Sequence, residues 1–206
     1  MRGRFITFEG LDGGGKSTQS ARLEEYLQSR GLTVVTTREP GGTPGGEALR
    51  DLLLDPAGPM PGVDAELLML FAARAEHLQR VIEPALAAGK WVLCDRFTDA
   101  TYAYQGGGRG VAWSRIAILE TWVLGDVRPD LTVWLDLPVA AARRRIAGRD
   151  RFEGQDGDFF QRVHAAYQRL SQRYPQRIRM VADPQGVRTA DDIATEVAAL
   201  VAPWLA

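Results

Sequence analysis

The 206-residue sequence predicts an α/β fold in which helices flank a five-stranded parallel sheet. Short apolar segments alternate with helical patterns along the chain, and a glycine-rich loop joins the first segment to the first helix. The segments are apolar at nearly every position, as strands buried on both faces of a parallel sheet are. The length suits one domain, and we expect residues 1–206 to form it.

Five segments have the character of buried strands, and four longer patterns have that of helices. The strands are expected at 5–8, 33–37, 91–94, 131–137 and 178–182, and the helices at 47–54, 65–88, 113–124 and 159–174. In the last helix Phe160, Val163 and Tyr167 recur at helical spacing, which predicts a face directed to the core. Residues 39–46 are rich in Gly and Pro and are expected to form a loop.

The loop after the first strand matches the phosphate-loop pattern G-x-x-x-x-G-K-S/T at every fixed position. Its glycines let backbone N–H groups approach a polyphosphate, and the helix that follows adds the positive end of its dipole. A glycine-rich turn without a ligand is the alternative, and the complete match between a strand and a helix disfavours it. We therefore predict a nucleoside triphosphate site at Gly10, Leu11, Asp12, Gly13, Gly14, Gly15, Lys16, Ser17 and Thr18.

Three side chains near this loop have predicted roles toward phosphate and metal. Lys16 can reach the β- and γ-phosphates, and the Ser17 hydroxyl can ligate Mg²⁺. Asp95 ends the third strand, where phosphate-loop proteins place an acid that orients Mg²⁺, although Asp136 competes for that role by pattern alone. We favour Asp95 because its neighbour Arg96 can hold a second anion, unless that arginine forms a structural ion pair.

Several segments in a constant order, from about residue 5 to about 174, resemble the thymidylate kinase family, whose members phosphorylate dTMP to dTDP. They are the phosphate loop, T-R-E-P-G-G-T at 37–43, F-A-A-R at 71–74 and D-R-F-T-D-A-T-Y-A-Y-Q-G-G-G-R-G at 95–110. The last segment is far more specific to bacterial members than the phosphate loop is. The resemblance implies a three-layer P-loop nucleoside monophosphate kinase fold with a mobile lid at about 146–157.

The resemblance also implies the residues of an acceptor site. Arg50 and Arg96 would hold the phosphate of dTMP, and Asp12 would lie near this phosphate and Mg²⁺. Tyr104 would crowd C2′ of the sugar and so disfavour a ribose hydroxyl. The remaining contacts would be to the base: Arg74 to a thymine carbonyl, Thr101 and Gln105 to the N3–C4 edge, and Phe71 by stacking, with Leu70 as the alternative for that position.

A basic cluster at 143–151 is interrupted by Gly148. By composition alone it is equally compatible with a solvated face. In the family a catalytic arginine comes either from the phosphate loop or from the lid, and residues 11–14 of this loop include no arginine. The resemblance therefore implies that Arg149 or Arg151 supplies it, with Gly148 as a hinge, and that the closed lid excludes water from ATP.

The implied reaction is Mg²⁺-dependent, in-line transfer of the γ-phosphoryl group of ATP to dTMP, which serves dTTP synthesis. The acceptor is already an anion, so the main task of the site is to offset charge repulsion. The predicted catalytic residues are Lys16, Asp12, Arg96, Arg149 and Arg151. A kinase for another nucleoside monophosphate remains an alternative, whereas a GTP-dependent switch is disfavoured because the sequence contains no N-K-x-D motif.

The overall composition indicates which kinds of partner and which cellular compartment to expect. A formal net charge of −1 gives no reason to expect a nucleic-acid or membrane-surface partner. Cys94 is the single cysteine and lies in an apolar run, which favours a buried thiol and a cytoplasmic protein. The expected partners are dTMP and ATP, and the family resemblance implies a homodimer.

Overall fold

The structure is a computed structural model that describes residues 2–59, 61–145 and 150–205. Its five strands are all parallel and pair in the order β2-β3-β1-β4-β5, which confirms the predicted sheet. They are β1 (Phe5–Glu9), β2 (Val34–Arg38), β3 (Trp91–Asp95), β4 (Leu131–Asp136) and β5 (Ile178–Ala182).

Nine α-helices lie in the described part of the chain. They are α1 (Lys16–Ser29), α2 (Pro44–Leu54), α3 (Val63–His77), α4 (Glu83–Ala87), α5 (Thr98–Thr101), α6 (Trp113–Leu124), α7 (Val139–Arg145), α8 (Gly157–Arg173) and α9 (Ala190–Val201). Two π-helical segments, Leu78–Ile82 and Tyr102–Gly108, join α3 to α4 and extend α5, and Ala202–Trp204 forms a final 3₁₀ turn.

Both faces of the sheet are buried, because successive residues of a strand enter different layers of the core. In β1, Ile6 and Phe8 pack with Leu27 of α1, whereas Phe5 packs with Phe71 of α3. A further cluster joins Trp134 of β4 to the predicted stripe of α8. The three-layer α/β arrangement predicted from the sequence is confirmed, and the apolar continuity of the strands follows from burial on both sides.

Two predicted boundaries were wrong for local reasons. The loop at 39–46 ends early, because Thr43 caps α2 by accepting the Gly46 N–H at 3.0 Å and Pro44 occupies the first helical position. The helix expected at 65–88 changes to π-helical geometry before Pro84. A proline has no N–H to donate and its ring crowds the carbonyl four residues earlier, so the regular hydrogen-bond ladder cannot continue there.

The parallel topology directs the carboxyl ends of the strands to one edge of the sheet, where ligands bind in folds of this kind. Phe8 of β1 lies beside Asp95 of β3, and Glu9 lies beside Trp134 of β4. The phosphate loop therefore leaves β1 next to the Asp95–Arg96 pair. Arg96 has φ of +69°, an uncommon value for a non-glycine residue, and such values cluster at functional sites.

Three consecutive glycines let the π-helical segment Tyr102–Gly108 approach its neighbours closely. A Cβ at Gly107 would lie 2.7 Å from both the Arg162 carbonyl oxygen and Ala166 Cβ of α8, and one at Gly108 would lie 2.4 Å from the Phe159 ring. These distances are shorter than real Cβ contacts. Gly107 and Gly108 are thus required for packing between the segment Tyr102–Gly108 and α8.

Gly107→Ala is expected to lower the free energy of unfolding by about 1–3 kcal/mol, because the added methyl group meets a backbone carbonyl that has no alternative position. The measurement is urea denaturation at equilibrium. Gly45→Ala in α2 is the control, since a Cβ there has its nearest neighbour 4.0 Å away. It is expected to stabilise the protein by up to about 1 kcal/mol. Equal effects of the two substitutions would contradict the packing argument.

Candidate active site

The phosphate loop has the backbone geometry that a polyphosphate requires. Gly10 has φ of +131°, and a Cβ there would lie 2.5 Å from the Leu135 carbonyl oxygen of β4. Gly15 precedes α1 with φ of +89° and provides no side chain to cap it. The first N–H groups of α1 are therefore left for an anionic ligand, at the positive end of the helix dipole.

Lys16 lies folded into this loop. Its Nζ donates to the Leu11 carbonyl at 3.1 Å and to Asp12 Oδ1 at 3.4 Å, and the residue is buried. Burial, reinforced by the charge of Arg96, lowers the pKa of Lys16, while Asp12 and Asp95 partly offset that effect. The ammonium is thus poorly solvated, and anionic phosphate oxygens are the partners that would stabilise its charge.

Ser17 and Asp95 come together across 78 positions of sequence, with Ser17 Oγ donating to Asp95 Oδ2 at 3.2 Å. The other oxygen, Asp95 Oδ1, is buried and has no hydrogen-bond partner in the described part of the chain. Such a carboxylate fits a hydrated Mg²⁺ bound mainly through nucleotide phosphates. No group of three or more His, Cys, Asp or Glu side chains among the described residues is arranged to hold a metal by protein ligands alone.

Asp136, the alternative to Asp95, is already engaged in a contact with another helix. Its Oδ1 lies 2.6 Å from Nε2 of His164 on α8. The Asp183 N–H also donates to the Asp136 carbonyl at 2.9 Å. Asp136 therefore fixes α8 and the chain after β5 to the end of β4, and the choice of Asp95 for metal fits the geometry better.

Arg96 is the centre of the site. One guanidinium nitrogen donates to the Gly10 carbonyl at 2.9 Å and to the Tyr167 hydroxyl at 3.2 Å. The other donates to Asp12 Oδ1 at 2.6 Å and to the Tyr104 hydroxyl at 3.0 Å. The arginine thus connects the phosphate loop to α8 and to the segment Tyr102–Gly108, and its side chain is only 15% exposed.

In the Arg96–Asp12 ion pair, the charge of each residue stabilises the ionised form of the other. Burial disfavours both charged forms, but the neighbouring charges of Arg96 and Lys16 outweigh it and hold the pKa of Asp12 below its ordinary value. The charge of Asp12 likewise keeps the pKa of Arg96 above its ordinary value despite burial. Both groups are therefore ionised across the neutral pH range. An acceptor phosphate would approach this ion pair.

A second cavity opens beside Arg96 and is lined by most of the predicted acceptor residues. Its lining includes Arg50, Leu70, Arg74, Arg96, Thr101, Tyr104 and Gln105. Arg50 donates to the Pro40 carbonyl at 2.8 Å and also lines the cleft around the phosphate loop. The structure therefore brings together every predicted acceptor residue except Phe71.

Phe71 does not line the cavity, although the residue before it on α3 does. Its ring lies in the core, and the Arg74 guanidinium stacks over it at 4.7 Å from the ring centroid. Leu70 lies on the cavity wall instead. The interpretation of Phe71 as the residue that stacks on the base is wrong, because α3 directs this ring to the sheet; Phe71 supports Arg74 from below.

Arg74 is held rigidly and keeps one nitrogen free. Its Nε donates to Glu39 Oε2 at 2.7 Å, and Nη2 donates to the Thr101 hydroxyl at 3.0 Å and the Phe97 carbonyl at 3.3 Å. Nη1 is buried and has no partner among the described residues. Since a guanidinium only donates, Nη1 requires an acceptor that a ligand in the cavity can provide.

A third cavity lies on the other side of the phosphate loop. Gly14, Thr18, Leu137, Asp183 and Arg188 are among its lining residues. Asp183 there holds the turn that follows β5 by accepting the Val187 N–H at 3.0 Å. Asp183 is the residue through which this turn contributes to the cavity.

The lid is described from residue 150 onward, and Arg149, Gly148 and the first lid residues lie outside the described residues. Asp150 and Phe152 line the acceptor cavity. Arg151 faces elsewhere: its guanidinium donates to the carbonyls of Asp55 and Gly58 after α2. Arg151 thus fastens the predicted lid segment to that turn, and this contact does not fit the predicted contact with ATP.

Sequence reasoning missed several buried polar groups that shape the site. Glu9 of β1 accepts the Phe97 N–H at 2.8 Å and the Tyr167 hydroxyl at 2.7 Å. Burial and the charge of Asp99 raise the pKa of Glu9 to about 7. Glu39 receives Arg74 and lies 3.0 Å from His77 Nδ1. An acid within an apolar strand or directly after a strand was the available signal in both cases.

The fold and the joined cavities define a phosphate-loop protein of the nucleoside monophosphate kinase class. The thymidylate kinase family model matches residues 8–193. A thymidylate kinase of Alkalilimnicola ehrlichii is 53% identical over 99% of this chain and 96% of its own length. One of Nitrosomonas europaea is 54% identical over 98% and 93%. The chain belongs to the thymidylate kinase family.

A solved structure agrees with this assignment. The crystal structure of thymidylate kinase from Ehrlichia chaffeensis is 36% identical in sequence and superposes with a TM-score of 0.81. The similarity covers 98% of this chain and 100% of that one. Separately, no helix among the described residues is long and apolar enough to cross a membrane.

Proposed function

We propose that this chain transfers the γ-phosphoryl group of ATP to the 5′-phosphate of dTMP, giving dTDP and ADP. The observation that carries the proposal is that the acceptor cavity and the phosphate-loop cleft share Asp12, Arg50 and Arg96 on their linings. Two phosphates bound in the two spaces would therefore meet at these residues. This is the arrangement that direct transfer between two nucleotides requires.

The donor side would hold the triphosphate on the phosphate loop. The N–H groups at the start of α1 and the Lys16 ammonium would bind the β- and γ-phosphates, and the buried position of Lys16 strengthens that attraction. Ser17 and Asp95 would hold Mg²⁺ together with the phosphates, and the ion would supply positive charge to the transferring group. The adenine would lie toward the cavity that contains Asp183.

The acceptor side would hold dTMP by its phosphate and by one edge of its base. Arg96 and Arg50 would provide the charges for the phosphate. Arg74 lines the same cavity, and its Nη1, which has no partner among the described residues, would donate to a base carbonyl. The Tyr104 hydroxyl is fixed by Arg96 and by Asp12, to which it donates at 3.1 Å. Its ring therefore cannot turn aside for a ribose 2′-hydroxyl, which supports a preference for deoxynucleotides.

The chemistry requires charge compensation and no general base, because the acceptor phosphate is an anion near neutral pH. Arg96 is already ordered by four hydrogen bonds before any ligand arrives, so little reorganisation is needed as charge develops. Asp12 holds Arg96 in place and keeps its charge localised at the meeting point of the two cavities.

The homodimer implied by the family is supported by an exposed apolar surface on α3 and α6. Leu68, Ile118 and Trp122 are 55%, 68% and 81% exposed, although large apolar side chains are usually covered. We propose that a second copy of the chain covers this surface in the cytoplasm. Light scattering that gave the mass of one chain at micromolar concentration would contradict the dimer.

The experiment for the main proposal is a coupled ADP-release assay with Mg-ATP and dTMP, dUMP, dCMP, UMP or GMP as acceptor. We expect turnover with dTMP to exceed that with UMP by about two orders of magnitude or more, because the fixed Tyr104 ring would exclude the ribose 2′-hydroxyl of UMP. Little ADP should form without an acceptor. A preference for GMP would overturn the base assignment, and ADP release independent of any acceptor would overturn the kinase proposal.

The lid arginines make a separate prediction. Arg149→Ala is expected to lower kcat by about two orders of magnitude through loss of a charge near the transferring phosphoryl group. Arg151→Ala is expected to lower kcat less and to reduce stability by about 1–2 kcal/mol, because two carbonyls lose their donor. Steady-state kinetics and thermal unfolding measure both effects, with Arg144→Ala, an exposed arginine of α7, as the control. A larger loss of kcat in Arg151→Ala than in Arg149→Ala would contradict these roles.

A further inference from the structure

A carboxylate buried beneath the acceptor cavity contacts one of the residues that reads the base. Glu66 of α3 is 1% exposed, and Gln105, which lines the cavity, is 2% exposed. Gln105 Nε2 donates to Glu66 Oε1 at 2.8 Å across 39 positions of sequence. Glu66 itself lines neither the acceptor cavity nor the phosphate cleft, so the phosphate chemistry gives no reason to bury its charge.

The contact determines which way the Gln105 amide faces. An ionised carboxylate only accepts hydrogen bonds, so the amide must direct its NH₂ group toward Glu66. The amide oxygen, Oε1, is then the atom available to the cavity. This orientation follows from the chemistry of the partner, because a carboxylate offers the amide only acceptors.

Arg109 forms an ion pair with Glu66 and holds it in place. Its Nη2 donates to Glu66 Oε2 at 3.3 Å, and its Nε lies 3.5 Å from Oε1. Arg109 is itself held by Gln155, whose Oε1 accepts from Nη1 at 3.2 Å, and by the Phe152 ring, whose centroid is 5.5 Å away. A buried acid whose guanidinium partner is itself held by two other residues has little freedom to turn.

Gln105 and Arg74 together then offer a directional pattern to the base. Arg74 provides a donor, its unpartnered Nη1, and Gln105 provides an acceptor, Oε1. The C4 carbonyl and N3–H of thymine match this pair, whereas the C4 amino group and bare N3 of cytosine oppose it at both positions. If the amide turned around, the cavity would present two donors and the discrimination at N3 would be lost.

We propose that Glu66 is a specificity-determining positioning residue, which fixes the Gln105 amide with its oxygen toward the base so that thymine is accepted and cytosine is rejected. This inference rests on the proposed function, because it concerns the base of the same acceptor. It assigns Glu66 no contact with the nucleotide; Glu66 acts through Gln105.

The test is Glu66→Gln, which preserves the shape of the side chain but can donate to Gln105 Oε1 and so allow the amide to turn. We expect the ratio of kcat/KM for dTMP to that for dCMP to fall about tenfold or more. The dUMP value should fall together with the dTMP value, since both bases present the same edge. Dissociation constants from calorimetry, without ATP, should show the same change of ratio.

Asp64→Asn is the matched control, because it makes the same chemical change on the same helix at an exposed residue that pairs with Arg115. It should leave the dTMP-to-dCMP ratio within about twofold of wild type. A purely structural role for Glu66 would lower activity with all the acceptors in proportion. A ratio unchanged within about twofold in Glu66→Gln would therefore overturn the proposal.

The exchange variant E66Q/Q105E provides a rescue. The amide introduced on α3 would then donate to the carboxylate introduced on the cavity wall, and the second oxygen of that carboxylate would restore an acceptor in the cavity. The ratio should return to within about threefold of wild type. If Glu66→Gln does not fold, the test rests on E66Q/Q105E alone. A retained preference of this variant for dTMP over dCMP supports the proposal, and loss of that preference overturns it. Wild-type protein without dTMP turnover would instead overturn the proposed function itself.

Discussion

The site depends on one arginine held between two nucleotide-binding spaces. Arg96 follows β3 with a left-handed backbone conformation and donates to Gly10, Asp12, Tyr104 and Tyr167. These partners belong to the phosphate loop, the segment that lines the acceptor cavity, and α8. In the proposed function, the contacts that fix the donor loop would also set the position of the acceptor phosphate, so the fold would align the two substrates before either of them binds.

Two other buried acids also hold parts of the site in position. Glu9 fixes the turn after Arg96 through the Phe97 N–H, and Glu39 orients Arg74. Each of these acids would be costly to bury alone, and each is balanced by a guanidinium or by several donors. The acceptor cavity is thus lined by side chains whose orientations are set by partners behind them. Specificity in such a site comes from groups that a ligand must satisfy, since an unmatched ligand would leave them buried and unpaired.

Much of the fold could be predicted from the sequence because its signals are local. The strands are apolar on both faces, and every fixed position of the phosphate loop has a chemical reason to be there. The role predicted for Phe71 was wrong because tertiary packing decides which face of α3 meets the cavity. Neighbouring residues of a helix point in different directions, so Phe71 lies in the core while Leu70 lines the cavity. Glu66 was missed for another reason. An acid in the first turn of a helix is ordinarily a solvated group, and only the folded chain brings it to Gln105 and Arg109.

The most direct measurement is the affinity of the Arg96→Lys variant for dTMP by calorimetry, without ATP and with thermal unfolding as a check on folding. A lysine retains the charge but cannot reproduce the fork of donors that binds Asp12, the tyrosines and a phosphate together. We expect the variant to bind dTMP about 30-fold more weakly or worse, and to bind a non-hydrolysable ATP analogue within about threefold of wild type. Unchanged affinity for dTMP in a folded variant would contradict the central role of Arg96.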